Sequence, residues 1–248
     1  MMSIAQLWEI CIKFLWDETY ISGLDKFLKS HNVHTILDVG GGAGFPSIEL
    51  KKLGWNITYS DRDEAMFSIF REKLQKENLE TPYHISNWIE LTQNIPQKFD
   101  AILCRGNSLI YVDSWGNNKI SKNTKENIKR SLNEFFNILN KNGLLYIDVI
   151  NKKEYDQPKY PIIEDFGEKV IDGKKLKLIW ELTHDYKNKI RIWKSILIID
   201  KEKYESTYYS YLLRHEELVD LLKEVGFSRV EETKIEGENN YDVFIAYK

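Results

Sequence analysis

Apolar side chains recur at helical spacing from the start of the chain. Ile4, Leu7, Trp8, Cys11, Ile12 and Leu15 form one stripe, and residues 4–29 predict one or two helices. The run Ile36-Leu37-Asp38-Val39 then ends in Gly40, Gly41, Gly42, Ala43 and Gly44. An amphipathic segment with Ile48, Leu50 and Leu53 apolar follows, and Ile57-Thr58-Tyr59-Ser60 closes on Asp61. Strand, glycine loop, helix, strand and acid make the first half of a nucleotide-binding βαβ unit. Residues 63–77 predict a helix capped by Asp63. Tyr83-His84-Ile85 reads as a third strand and residues 99–104 as a fourth. Residues 122–140 predict a helix stopped at Asn142-Gly143, and residues 144–150 a fifth strand.

The pattern changes after residue 150. Residues 174–183 and 189–200 predict an antiparallel hairpin turning at 184–188, with a third strand near Tyr204–Tyr211. Residues 214–225 predict a helix ending at Gly226, and Ser228–Ile235 and Tyr241–Tyr247 two closing strands. The expected fold is α/β: a Rossmann-like, seven-stranded, mostly parallel sheet with helices on both faces, plus an antiparallel β lid insertion. The expected organisation is one domain over residues 1–248, with an N-terminal helical cap at about 1–30 and the lid insertion at about 152–211.

Composition narrows the function. The chain has 248 residues, 42% hydrophobic and 29% charged, enough for an ordinary soluble core. A net charge of -3 gives no electrostatic case for nucleic acid or an anionic membrane. Cys11 and Cys104 make no disulfide framework, and with five scattered histidines no metal site is expected. No signal peptide is read, because Glu9 interrupts the first apolar stretch. No apolar run approaches the ~20 residues of a membrane span. A cytoplasmic protein is expected.

In open α/β sheets, ligands bind beyond the carboxyl ends of the strands. Four such ends carry polar residues: Gly40–Gly44, Asp61-Arg62, Asn87-Trp88 and Arg105–Ser108. The loop is not the dinucleotide G-x-G-x-x-G, whose third glycine would fall at Phe45. It is G-x-G-x-G through Gly40, Gly42 and Gly44, with Asp38 two residues before it. A carboxylate there suits a positively charged ligand. Asp61 can take two ribose hydroxyls, and Asn87 can hydrogen-bond adenine while Trp88 packs on the ring.

The h-D-h-G-x-G-x-G form resembles motif I of the class I S-adenosylmethionine (SAM) methyltransferases. SAM is a sulfonium with an ammonium group, and S-adenosylhomocysteine is its product. Asn87-Trp88, Cys104-Arg105-Gly106-Asn107-Ser108 and Ile147-Asp148 followed by Asn151 resemble more narrowly the glycine and glycine/sarcosine N-methyltransferases. Those enzymes carry N-W, C-L-G-N-S and I-D-H-R-N-Y in these places. The resemblance covers roughly residues 30–155. It implies that Gly40, Asp61, Asn87, Trp88 and the backbone around Arg105 hold SAM, that Asn107 faces the acceptor, and that a helix bearing Trp8, Trp16 and Tyr20 closes over the cofactor.

Three departures stand out. Ile150 aligns with the family's arginine, and Tyr111 with a family histidine. No arginine or lysine lies between Lys13 and Lys26, where an N-terminal arginine often grips the SAM carboxylate. Tyr111, Tyr208, Tyr209 and Tyr211 are candidates to line an aromatic acceptor pocket, with Asn107, Tyr111 and Tyr208 as the catalytic candidates. Three functions are consistent with these residues. The first is methylation of a small-molecule amine other than glycine, unless a lid residue such as Arg191 or Arg214 supplies a relocated carboxylate clamp. The second is methylation of RNA or protein, for which Lys119, Lys122, Lys125, Lys129 and Arg130, or Lys174, Lys175 and Lys177, would form a basic strip. The third is SAM binding without transfer. The lid is also a candidate surface for self-association.

Overall fold

A computed structural model of the chain describes residues 2–116, 119–155 and 160–248. Its elements run α1 (Ile4–Leu15), α2 (Glu18–Ser30), β1 (Thr35–Val39), α3 (Ser47–Lys52), β2 (Asn56–Asp61), α4 (Glu64–Glu77) and β3 (Tyr83–Ile85). There follow α5 (Leu91–Asn94), β4 (Phe99–Cys104), α6 (Thr124–Ile138), β5 (Leu139–Ile150), β6 (Ile162–Ile171) and β7 (Lys174–Asp185). The chain closes with β8 (Ile190–Ile199), β9 (Glu202–Tyr211), α7 (His215–Val225), β10 (Arg229–Thr233) and β11 (Tyr241–Tyr247). Seven strands form one sheet in the order β10-β11-β5-β4-β1-β2-β3. The five β1–β5 strands run parallel, and β11 lies antiparallel to β5.

Local signals explain most boundaries. Ser3 and Gln6 form a capping box at α1, and Asp17 caps α2 through the Thr19 N–H. Asp63 caps α4 by accepting from Ala65 N and Met66 N at 2.9 and 3.1 Å. Ile36, Leu37 and Val39 of β1 and Ala101, Ile102 and Leu103 of β4 are fully buried. Runs this apolar are what strands covered on both faces require.

Two expectations are corrected here. Asn142-Gly143 does not stop α6: the helix ends at Ile138, and β5 begins at Leu139. Asn142, at φ 65°, bends the chain inside β5, and the β4–β5 register jumps from Phe99↔Leu139 to Ala101↔Leu144. The insertion is not a hairpin with a third strand but a four-stranded antiparallel sheet, β6-β7-β8-β9. The missed strand, β6, lies at its edge. Ile163 and Val170 there are 55% and 74% exposed, and a register shift near Gly167 interrupts the alternation that would have marked it. Residues 156–159 of the expected insertion lie outside the described residues.

The second sheet packs on the front of the molecule. Trp193 of β8 meets Trp8 of α1 edge-on at 5.5 Å, and Tyr208 of β9 stacks on Trp115 at 5.1 Å. Lys169 donates to the Phe14 carbonyl at 2.7 Å. Four of the lysines expected in basic strips pair with acids. Lys125 pairs with Glu217, Lys129 with Glu224, Lys175 with Glu168 and Lys177 with Asp165. Among the described residues no helix is long and apolar enough to cross a membrane.

Candidate active site

A cavity of about 760 Å³, its open mouth included, lies between the carboxyl ends of the parallel strands and the second sheet. Gly40, Gly42, Asp61, Arg62 and Trp88 line one part of it. Trp8, Tyr111, Trp115, Trp180, Arg191 and Trp193 line another, and Gly106, Asn107 and Ser108 are also in its wall.

The glycine loop is shaped by its surroundings. Gly40 has φ +68°, and a Cβ there would meet the Trp88 ring at 2.7 Å. Both the conformation and the close approach call for glycine. Gly42 lines open space, and its N–H donates to Asp61 Oδ2 at 2.8 Å. Gly44 stands off the cavity and packs against Phe70 and Ile48. Its role is the close approach of loop and helix, not ligand contact.

Asp61 also accepts from Asp63 N through Oδ1 at 2.8 Å. These backbone donors fix the carboxylate, whose remaining lone pairs are free for two hydroxyls. Burial raises its pKa, against the pull of the Asp63 and Gly42 N–H groups. Arg62 lines the cavity and donates to the Val112 and Tyr111 carbonyls at 2.6 and 3.3 Å. It thereby ties the β2 end to the loop after β4.

Asp38 lies under the loop, fully buried and off the cavity wall. Oδ2 accepts from Ser47 Oγ at 2.6 Å, while Oδ1 has no partner among the described residues. Burial pushes its pKa up to about 7, partly offset by Ser47 and by the charge of Arg105. At the β4 end, Asp148 of β5 accepts from Gly106 N and Asn107 N at 2.9 and 2.6 Å. That holds Asn107 at φ 55°, with its buried side-chain Oδ1 unpartnered.

Several expected placements differ. Asn87 is not in the cavity wall; its Oδ1 caps the turn at Trp88–Glu90, taking Ile89 N at 3.5 Å. Tyr208 lies behind the wall, stacked between Trp115 and Trp193, beside a smaller cavity of about 250 Å³. Ile150 faces away, clustered with Tyr155 and Leu212. Arg105 is buried outside the wall, with its side chain turned to Tyr20 and Phe45. Trp8, Gly40, Gly42, Asp61, Arg62, Trp88, Asn107 and Tyr111 do meet at one cavity.

Met66, Trp115, Trp180, Arg191, Trp193 and Tyr241 complete the wall. Arg191 is buried and donates to Glu154 at 3.3 Å, with His184 3.6 Å from the same carboxylate. Burial alone would lower the Arg191 pKa, but Glu154, with Tyr111 and Tyr241, more than offsets it, so the guanidinium stays charged. A period-two signal was available for this residue. Arg191 shares a strand face with Trp193 and Ser195, so a cation sits in the buried row of β8.

Comparison with known proteins agrees with this geometry. Residues 36–143 match the "Methyltransferase domain" family model. The chain is 30% identical over 143 residues to a glycine/sarcosine N-methyltransferase of Aphanothece halophytica, covering 57% of this chain and 47% of that protein. It spans about half the length of the curated relatives it matches. Streptomyces venezuelae DesVI superposes with a TM-score of 0.78 at 12% identity, over 99% of this chain and 98% of that one. SAM-bound CalS10, an aminopentose methyltransferase of Micromonospora echinaspora, gives 0.74 at 13%, over 100% and 98%. Residues 36–143 thus match a methyltransferase domain, and the fold is shared with a methyltransferase that binds SAM. The site fits SAM: an open glycine cradle, a fixed Asp61 carboxylate and an unpartnered Asp38 oxygen for a cationic ligand.

Proposed function

We propose that the chain methylates the nitrogen of a small-molecule amine larger than glycine. The observation that carries this reading is the aromatic wall: Trp8, Trp115, Trp180, Trp193 and Tyr111 share one cavity with Gly40 and Asp61. Aromatic faces attract cations and apolar bodies. The names of the relative and the neighbour, a glycine/sarcosine N-methyltransferase and an aminopentose methyltransferase, support an amine acceptor.

SAM supplies a methyl group already activated on a sulfonium. The chain's part is to bind, orient and exclude water. The unpartnered Asn107 Oδ1 suits an acceptor N–H. Burial raises the Tyr111 pKa, so its hydroxyl stays protonated and serves as a hydrogen-bonding group rather than a base. In this reading the chain is one domain, α1 and α2 form its cap, and the β6–β9 sheet is a lid over the acceptor.

Ile150 gives no ground for rejecting glycine, because it lies away from the cavity. The ground is the width and aromatic character of the wall. A second reading, favoured by Arg191 in that wall, is that the amine also bears a carboxylate. A methyl-transfer assay with glycine, sarcosine, bulkier amines and bulkier amino acids separates the cases. Efficient turnover of bulky amines supports the proposal, and a requirement for a carboxylate selects the second reading. Efficient turnover of glycine at low millimolar concentration, with no bulky acceptor used, would refute both.

A further inference from the structure

Two arginines are buried in this protein, and they are held differently. Arg191 has the Glu154 carboxylate beside it. Among the described residues no carboxylate lies within ion-pair distance of Arg105. Its Nε donates to Tyr20 Oη at 3.0 Å and its Nη1 to the Phe45 carbonyl at 3.3 Å, both neutral acceptors. Its Nη2 is buried with no partner. The guanidinium carbon lies 4.6 Å from the Trp16 ring centre and 4.9 Å from those of Tyr20 and Phe45. Asp148 and Glu238 act on this cation through space, but its direct contacts are three aromatic rings and two neutral oxygens, so Nη2 has no carboxylate touching it. A buried charge normally has a counter-charge.

Its position says which anion the open Nη2 faces. Arg105 directly follows β4 and precedes Gly106, Asn107 and Ser108, all in the cavity wall. Its Nη1 partner, Phe45, directly follows the glycine loop. The guanidinium therefore bridges the β4 loop and the glycine loop, the two walls between which the cofactor must lie. On the adjacent strand β1, in register with Leu103, Asp38 carries the complementary orphan, an unpartnered buried carboxylate oxygen. One unpaired acceptor and one unpaired donor of opposite charge, on neighbouring strand ends, match an α-ammonium and an α-carboxylate.

The geometry points to Arg105 as the residue that holds the carboxylate of SAM, through Nη2. The N-terminal helices carry neither arginine nor lysine between Lys13 and Lys26, whose ammonium groups pair with Asp172 and Glu236. They supply Trp16 and Tyr20, which hold the arginine of β4 in place from the other side. This inference rests on the cofactor and is independent of the acceptor.

Calorimetry on the full chain tests it with two ligands. S-Adenosylhomocysteine carries the amino-acid end, and 5′-methylthioadenosine keeps the nucleoside and sulfur without it. Arg105→Leu should weaken S-adenosylhomocysteine binding roughly 10- to 100-fold, the span of one charge-assisted pair. It should leave 5′-methylthioadenosine within about twofold, and Arg105→Lys should recover part of the loss. Unchanged S-adenosylhomocysteine affinity, or equal losses for both ligands, would overturn the assignment. Should Arg105→Leu not fold, the unmodified protein and Arg105→Lys decide with decarboxylated S-adenosylhomocysteine. The unmodified protein should bind it at least roughly tenfold more weakly than the parent compound, with the gap narrowed in Arg105→Lys. No gap in the unmodified protein, or the same gap in both proteins, excludes Arg105 as the clamp.

Discussion

The two sheets of this protein meet the same cavity in different ways. The seven-stranded sheet reaches it through backbone held by carboxylates, Gly42 N–H on Asp61 and Gly106 and Asn107 N–H on Asp148, with Arg62, Trp88 and Tyr241 beside them. The four-stranded sheet reaches it through large side chains, with Trp180, Trp193 and Arg191 in the wall. Backbone geometry suits a ligand that never changes, because it depends on the strand-loop-helix path rather than on one side chain. A side-chain wall can be altered residue by residue without moving a strand. The two regions should therefore separate in experiment, with cofactor binding belonging to the first and acceptor choice to the second.

The largest expected effect is on the cofactor side. Asp61→Ala removes an acceptor for two charge-assisted hydrogen bonds, each ~1.5–3 kcal/mol. S-Adenosylhomocysteine affinity should fall at least roughly 100-fold by calorimetry. Intact affinity with a collapsed thermal midpoint would make Asp61 purely structural. Next comes the aromatic side. Trp193 touches Trp8, Trp180 and Tyr208, so Trp193→Leu should lower acceptor kcat/KM roughly 10- to 100-fold. S-Adenosylhomocysteine affinity should stay within about twofold. A variant that loses both functions in parallel would break the division between the regions.

What could be read from the sequence follows the same division. The β1–β2 unit announces itself because the Asp38-to-Asp61 pattern is local: glycines, an apolar run and an acid at fixed offsets. Partner choice within that unit was less readable. Asn87 and Gly44 carry the right residue types, yet one caps a turn and the other packs on Phe70. The aromatic wall was less accessible still. Trp180 and Trp193 meet across the β7–β8 hairpin, but Trp115 joins that wall only when the distant loop after β4 packs on the second sheet, and no spacing along the chain encodes that. Tyr208 was singled out for its cluster of tyrosines, but β9 turns it behind Trp115 and Trp193. Edge strand β6 escaped because its alternation is broken near Gly167.

A pH effect sharpens the cofactor side further. Burial holds the Asp38 carboxyl at about 7, with Arg105 lowering it and Asp61 and Glu49 raising it. An ammonium bound at its free oxygen favours the ionised form, so ligand binding near neutral pH releases a proton. S-Adenosylhomocysteine affinity should therefore rise several-fold from pH 6 to pH 8. Asp38→Asn should flatten that slope, and a slope unchanged by the substitution would assign the proton elsewhere. For folding the sign is opposite. The raised pKa favours the protonated native state, so the Asp38 contribution to stability declines as pH rises from 3.8 through about 7. The smallest effect belongs outside both regions. Lys129→Gln breaks only an exposed pair with Glu224 and should leave methyl transfer unchanged, with no salt-dependent RNA binding to lose.

The most direct test of the central claim is a calorimetric titration of the unmodified protein with S-adenosylhomocysteine and, separately, with NAD. The G-x-G-x-G loop, Asp38 and Asp61 predict saturable binding of one S-adenosylhomocysteine per chain and no heat with NAD. Saturable NAD binding with no response to S-adenosylhomocysteine would contradict the account at its base.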